Sequence, residues 1–184
     1  MQQNKDREKV RMRTDKIFKK LSGGDLRSEG KANEVALEVV SNPSLLADLS
    51  QGLLSDDKVL RGRTCMAMEI ISREQPELLT NVVQQLIELA AADTVPQVRW
   101  HIAEILGNVD LSDDNVERTI PIILTYLKDK SELVKYCSVQ TLGGIGRKSP
   151  LREKIISNLI GLKNVSKSLG KVVAKALHDL DAKQ

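Results

Sequence analysis

The segment DTVPQVRWHIAEILG at residues 93–107 decides the fold, because the chain carries it in three related copies. The other two are DKVLRGRTCMAMEII at residues 57–71 and DKSELVKYCSVQTLG at residues 129–143. The three copies align without a gap at a spacing of 36 residues. A fixed period of this length predicts a stack of similar structural units, each packed mainly on its neighbours.

Four positions of the copies keep their chemical type. An acidic residue opens each copy, a basic residue follows six positions later, and a small or β-branched residue and a large aliphatic residue follow at ten and thirteen positions. In this order they are Asp57, Asp93 and Asp129; Arg63, Arg99 and Lys135; Ala67, Ala103 and Val139; and Ile70, Leu106 and Leu142. A fourth copy begins 35 residues later at Asn164, with Gly170 in place of the basic residue, so the motif weakens toward the C-terminus.

Apolar residues recur every three or four positions between turn signals, which is typical of amphipathic helices, and no segment alternates as a strand does. The chain is 41% hydrophobic but only 2% aromatic, so aliphatic side chains must fill the core. We therefore expect an all-α fold with helices at residues 5–21, 28–41, 43–54, 57–73, 76–92, 95–109, 113–128, 131–146, 150–162 and 166–181.

The aligned copies resemble HEAT repeats, which belong to the armadillo-like folds. In that family an Asp lies in the turn of a helix pair, an Arg follows six residues on, and a small residue and a Leu lie in the second helix. The resemblance covers about residues 42–182. It implies a right-handed α-solenoid of about four to five helix pairs, in which the Asp and basic residues pair within and between units.

We expect the chain to consist of a cap followed by the repeats. Residues 1–24 form a basic N-terminal helix that docks through Val10, Ile17 and Leu21. Residues 25–182 form the HEAT-like domain, with units at about 25–41, 42–73, 74–110, 111–147 and 148–182.

Second helices of stacked repeats line the concave side of a solenoid, so their outward positions form rows along one surface. These predicted partner-binding positions are Thr64, Trp100, Tyr136 and Lys171 in one row, Met68, Glu104, Gln140 and Lys175 in the next, and Asn108 one turn further on. Trp100 and Tyr136 stand out because the chain has one Trp, two Tyr and one Phe, and outward-facing rings are frequent anchors of protein interfaces. The alternative is that both rings pack over neighbouring aliphatic side chains.

Charge is segregated along the chain. Residues 1–20 carry a net charge of +5, residues 21–146 one of −8, and residues 147–184 one of +6. At the basic C-terminal end, the spacing of four residues places Lys163, Lys167, Lys171 and Lys175 on one helix face. This stripe either meets an acidic partner segment or is the solvated face of the last repeat.

Composition and spacing exclude several classes of protein. No run of residues approaches the roughly 18 apolar positions of a membrane span, and the charged N-terminus has no signal-peptide core, so we expect a cytoplasmic protein. Cys65, His101 and Cys137 lie at one repeat position, but equivalent positions on stacked helices are about 8–10 Å apart, too far to share a metal. We therefore predict no metal site, no cofactor and no catalytic residues.

The function that these observations favour is a non-enzymatic scaffold that binds a peptide or helix on its concave surface. We expect a protein or peptide partner, acidic where it meets the C-terminal end, and neither nucleic acid nor membrane. One alternative is a nucleic-acid-binding protein with the architecture of the HEAT-like DNA glycosylases. Another is an accessory protein of the phycobilin-lyase type, which also contains short HEAT repeats.

Overall fold

The computed structural model describes the backbone of residues 2–147, 149–164 and 166–181. Within these ranges it also describes the side chain of residue 8 and all side chains from residue 11 onward. The described residues form α-helices and short 3-10 helices, without strands. The α-helices are α1 Gln2–Leu21, α2 Ala32–Ser41, α3 Leu46–Ser50, α4 Lys58–Glu74, α5 Val83–Ala92, α6 Pro96–Asn108, α7 Asp113–Tyr126, α8 Glu132–Ile145, α9 Arg152–Ile160 and α10 Lys167–Asp181. The chain divides into two compact units, residues 1–82 and 83–184.

Two predicted helices are interrupted. The segment predicted as one helix at 43–54 consists of α3 between the 3-10 helices Pro43–Leu45 and Gln51–Leu54, and the one predicted at 76–92 begins as the 3-10 helix Pro76–Val82. The 3-10 segment Gln51–Leu54 packs closely on α4. A Cβ added to Gly52 would lie 2.2 Å from Thr64 Oγ1, so only a glycine allows the approach.

In the first unit, residues 1–82, α1 contacts α3, and α2 contacts α4. This is the pattern expected of two successive helix pairs, in which first helices stack on first and second on second. Ile17 and Leu21 of α1 are buried, as a docked helix requires, whereas the side chain of Val10 lies outside the described residues. The predicted limits of the cap and of the five repeats stay a prediction, and residues 148 and 182 at the limits of the last one lie outside the described residues.

Arg63 of α4 organises the turn between α1 and α2. Its side chain is 4% exposed, which a cation tolerates only when its donors are satisfied. The guanidinium donates hydrogen bonds of 2.7–3.3 Å to the backbone carbonyls of Leu21, Ser22, Gly23, Asp25 and Ser28. Gly30 lies against it with φ +56, where an added Cβ would come within 2.9 Å of the guanidinium carbon.

In the second unit, residues 83–184, the second helices stack in sequence. Helix α6 contacts α8, and α8 contacts α10, while α5 contacts α7 in the layer of first helices. Two buried hydroxyls join neighbouring repeats: Tyr126 donates to the Ala90 carbonyl at 2.6 Å and Thr141 to the Ala103 carbonyl at 2.6 Å. Val98, Ile102, Ile105 and Leu106 of α6 are buried, as is Val109 directly after the helix.

The acidic residue of each copy has the same local role in all three. Asp57, Asp93 and Asp129 each accept a hydrogen bond of 2.7–2.8 Å from the backbone N–H two residues later, just before a second helix begins. Such a carboxylate satisfies one of the N–H groups that a helix start leaves unpaired. The role that the recurring Asp has in all three copies is therefore to stabilise the turn at the start of the second helix.

The basic residues of the copies differ from one another. Arg99 makes the between-unit contact, with its guanidinium 2.5 Å from the Asp129 carboxylate and 2.7 Å from the Asp93 carbonyl. Lys135 pairs with Glu132 on its own helix at 3.0 Å. The uniform ladder of Asp and basic residues expected from the sequence is thus replaced by three different arrangements, because the neighbour that each cation meets is different.

Candidate protein-binding surface on the second helices

The two outward rows predicted from the repeat do not reach the surface in the first unit. Thr64 and Met68 of α4 are both 0% exposed, which corrects the expectation that they take part in partner binding. The cause is packing, because α4 contacts α1, α2 and both flanking 3-10 helices of its unit. The middle of α4, where Thr64 and Met68 lie, is therefore covered, and the exposed residues of this helix are confined to its two ends.

In the second unit the same positions are partly exposed on α6 and exposed on α8 and α10. Trp100 of α6 is only partly exposed, and its ring meets the His101 ring edge-on with centroids 5.0 Å apart. Its indole nitrogen is buried without a hydrogen-bond partner. Trp100 is thus partly a packing residue, which agrees with the alternative that the sequence left open.

Glu104 lies one turn after Trp100 and is also partly exposed. Its carboxylate accepts a hydrogen bond from the buried Cys137 thiol of α8 at 3.2 Å, which fixes the side chain across the two helices. Asn108, at the end of α6, is exposed. The α6 side of this surface is therefore acidic and held in place.

Helix α8 presents an apolar pair. Tyr136 is 37% exposed and Leu133, one turn earlier on the same face, is 39% exposed. Gln140 and Gly144 continue this exposed face, and an added Cβ at Gly144 would meet nothing within 4 Å. The apolar pair therefore borders an unobstructed strip of helix.

Helix α10 completes the surface with cations. An open groove of about 710 Å³ runs between α8 and α10, and its lining residues are Tyr136, Lys167, Ser168, Lys171, Val172 and Lys175. The lysines are exposed, whereas Val172 is buried and forms an apolar part of the floor. The structure thus brings Tyr136 together with Lys171 and Lys175, as the equivalent repeat positions predicted.

The charges that face the groove are not all compensated. Lys175 binds Asp179 at 2.6 Å, and this hydrogen bond holds the pKa of Asp179 below its ordinary value. Glu132, one turn before Tyr136 on α8, binds Lys135. Among the described residues, Lys167 and Lys171 form no ion pair, so two positive charges remain available in the groove.

The surface thus combines an apolar pair on α8 with cations on α10. Within the described part of the chain, no cluster of His, Cys, Asp or Glu is arranged to hold a metal ion. Nor does that part contain a helix with the length and apolar character of a membrane span. Sequence reasoning missed Leu133 and Val172, although Leu133 lies three residues before Tyr136 and so shares its helix face.

Comparison with known proteins identifies the repeat type. Residues 83–155 match the family model of HEAT repeats. No curated protein matches the sequence at a significant level. The match lies in the second unit, where the second helices α6, α8 and α10 contact one another in succession.

Two solved structures have a similar fold. An engineered protein, a Northeast Structural Genomics Consortium target, is 17% identical, with a TM-score of 0.69. The match covers 91% of the present chain and 78% of the engineered protein. The complex of CpcE and CpcF of the phycocyanin lyase from Nostoc sp. PCC7120 contains a chain that is 20% identical, with a TM-score of 0.61. The match covers 89% of the present chain and 96% of that one. The predicted all-α fold of helix-pair repeats is confirmed, and residues 83–155 carry HEAT repeats.

Proposed function

We propose that this protein is a non-enzymatic scaffold that binds a peptide or helix of a partner protein on the face of α6, α8 and α10. The observation that carries the proposal is the exposed apolar pair Leu133 and Tyr136 beside the groove between α8 and α10. A Tyr ring supplies a large contact area and loses little conformational entropy on binding, which makes it a good anchor.

The support around this pair is rigid. Helix α8 packs on α6 and α10 on its two sides, and Thr141 ties it to α6 through the Ala103 carbonyl. A side chain held by such a scaffold is already positioned for a partner, so less ordering is required on binding. Glu104 on one side and the lysines on the other supply polar surroundings that set the orientation of the bound segment.

A site-specific cross-link tests the proposal directly. We replace Tyr136 by a photoreactive benzoylphenylalanine in the full chain, irradiate it in native lysate, and identify the attached peptide by mass spectrometry. We expect one dominant protein to be attached at position 136. The matched control carries the same group at Ile160, which is 57% exposed on α9 and lies outside the surface. The same products at both positions, or no product at 136, would contradict the proposal.

A second variant tests whether the apolar pair provides the affinity. The double change Leu133→Ala and Tyr136→Ala should weaken capture of the cross-linked protein at least about tenfold, since buried anchors each contribute about 1–2 kcal/mol or more. Circular dichroism should stay unchanged because both side chains are exposed. The control is the double change Leu54→Ala and Ile160→Ala, which removes two other exposed apolar side chains.

Trp100 is less suitable for this test than the sequence suggested. Because its ring packs on His101 and its indole nitrogen is buried, Trp100→Ala would remove packing together with any contact to a partner. A loss of binding in that variant would have two causes. Trp100→Phe keeps most of the ring and is the better probe of this position.

A second proposal is a role in a lyase complex like that of CpcE and CpcF. It is supported by the likeness of the fold, which extends over 96% of that chain. The test is co-elution of the full chain with purified phycocyanin in size-exclusion chromatography. A complex that survives Leu133→Ala and Tyr136→Ala would favour this role on a different surface, whereas the absence of any complex would reject it.

A further inference from the structure

We infer that the segment bound in the groove between α8 and α10 is an acidic amphipathic helix, with carboxylates against Lys167 and Lys171 and an apolar side chain against Tyr136 and Val172. This inference rests on the proposed function and names the chemistry of its partner. It depends on three features of the groove, which are its uncompensated charge, the spacing of its cations, and the position of its apolar residues.

The charge of the groove favours an acidic occupant. Its lining contains three lysines and no acidic side chain. Two carboxylates one helical turn from lining residues are already engaged. Glu132, four residues before Tyr136, binds Lys135, and Asp179, four residues after Lys175, binds Lys175 itself. Because Lys167 and Lys171 form no ion pair within the described residues, a partner with carboxylates gains attraction there, and a basic partner is repelled.

The spacing of the cations matches a helix. Lys167, Lys171 and Lys175 follow one another at intervals of four residues on α10. At about 1.5 Å of rise per residue, successive lysine positions are about 6 Å apart along the axis. Carboxylates at every fourth residue of a partner helix have the same spacing, so two or three of them can be matched at once.

The apolar residues lie beside the cations, and this arrangement separates a helix from an extended segment. Leu133 and Tyr136 belong to α8, and the lysines belong to the neighbouring helix α10. A partner must therefore present an apolar stripe and an acidic stripe side by side on one surface. An amphipathic helix does so, whereas successive side chains of a strand point to opposite faces.

Designed peptides test this inference without knowledge of the natural partner. The probe is a fluorescein-labelled amphipathic helix of about 18 residues, long enough to hold helical structure, with a Leu stripe flanked by Glu at every fourth position. Two matched peptides replace every Glu by Gln or by Lys. Fluorescence anisotropy with the full chain should show saturable binding of the Glu peptide, at least about tenfold weaker binding of the Gln peptide, and none of the Lys peptide.

Variants then locate the binding. The pair Lys167→Glu and Lys171→Glu should weaken binding of the Glu peptide at least about tenfold, because two attractions become repulsions. The control pair, Lys128→Glu and Lys154→Glu, makes the same change in net charge at exposed positions outside the groove and should alter affinity less than about twofold. Equal losses in both pairs would overturn the inference, since net charge alone would then explain binding.

Two further outcomes would also overturn it. One is the absence of saturable binding of the Glu peptide at concentrations up to about 1 mM, the weak limit of specific association. The other is that duplex DNA binds more tightly than the Glu peptide and that Tyr136→Ala leaves both affinities unchanged, which would identify a phosphate-binding face. If the cross-link at position 136 succeeds while all three peptides fail, the proposed scaffold function stands and only the acidic helix is rejected.

Discussion

Residues one repeat period apart have different roles in the two compact units. In the first unit, Arg63 is buried and binds five backbone carbonyls of the turn between α1 and α2. Its equivalent in the second unit, Arg99, is partly exposed and binds the Asp129 carboxylate of the next repeat. The comparison shows that the repeat fixes where a residue lies on its helix, while the neighbouring elements fix what it contacts.

The outward row differs in the same way. Thr64 on α4 is fully buried, whereas Tyr136, two periods later on α8, is 37% exposed and borders a groove. Both are the seventh residue after the start of their copies, DKVLRGRT and DKSELVKY. The first unit thus uses this position for its own packing, and the second unit leaves it available for a partner.

The largest expected effect is a loss of stability in Arg63→Lys. A lysine has a single ammonium group and cannot bridge five carbonyls as a planar guanidinium does, so several of them lose their donor. We expect the free energy of unfolding to fall by about 2–3 kcal/mol in urea denaturation. Limited proteolysis should also show faster cleavage in the turn at residues 22–30.

The control for this prediction is Arg99→Lys. Lysine can keep an ion pair with the Asp129 carboxylate but loses the hydrogen bond to the Asp93 carbonyl, so we expect a smaller loss, of about 1 kcal/mol. Similar losses of unfolding free energy in the two variants would mean that the two arginines contribute equally to stability. That result would contradict the difference between the two units.

The next effect concerns two adjacent glycines of α8 in the second unit. An added Cβ at Gly143 would lie 2.9 Å from Ala176 Cβ and 3.0 Å from its Cα, so Gly143→Ala must push α10 away from α8. We expect thermal or urea unfolding to show a loss of about 1–3 kcal/mol. Because this contact also sets the width of the groove, binding of the acidic peptide should weaken in the same variant.

Gly144→Ala is the matched control. Position 144 is exposed and meets nothing within 4 Å, so the change should stabilise the helix by about 0.5–1 kcal/mol. Combining Gly143→Ala with Ala176→Gly should recover part of the loss by removing the opposing methyl group. A loss of stability at both glycines would indicate a helix-wide cause instead of the contact with α10.

The smallest expected effect is a gain in affinity in Asp179→Asn. The carboxylate of Asp179, which is ionised at neutral pH as an ordinary Asp is, competes with a partner carboxylate for Lys175. Removing the charge should strengthen binding of the acidic peptide by about two- to threefold, the size expected for an exposed ion pair. Asp181→Asn, which removes one of the two carboxylates paired with Arg152, should leave the affinity unchanged in the same anisotropy assay.

The same pair predicts a weak pH dependence of stability. Because the Asp179 pKa is lowered in the folded state by the Lys175 hydrogen bond, the stabilisation is present above the ordinary pKa of Asp and is lost as the pH falls through the lowered value. The Asp179→Asn variant should lack this component of the acid unfolding curve.

Much of the fold follows from the sequence. The period of 36 residues, the apolar spacing and the turn residues predict the helices and their succession, because these signals act within one helix pair and repeat in the next. Val98, Ile102 and Leu106 are buried as their spacing on α6 indicates. The contiguity of Tyr136, Lys171 and Lys175 also follows, since equivalent positions of stacked helices are neighbours.

Exposure and ion pairing were decided only by the tertiary structure. The sequence gives Thr64, Trp100 and Tyr136 the same place on their helices, yet their burial differs because it depends on which other elements cover that place. Likewise, the spacing of acidic and basic residues does not predict their contacts. The Arg63 guanidinium binds backbone carbonyls of the turn after α1, whereas the Arg99 guanidinium binds the Asp129 carboxylate. Position on a helix is a local property of the chain, whereas burial and partners arise from segments that are distant in sequence and adjacent only after folding.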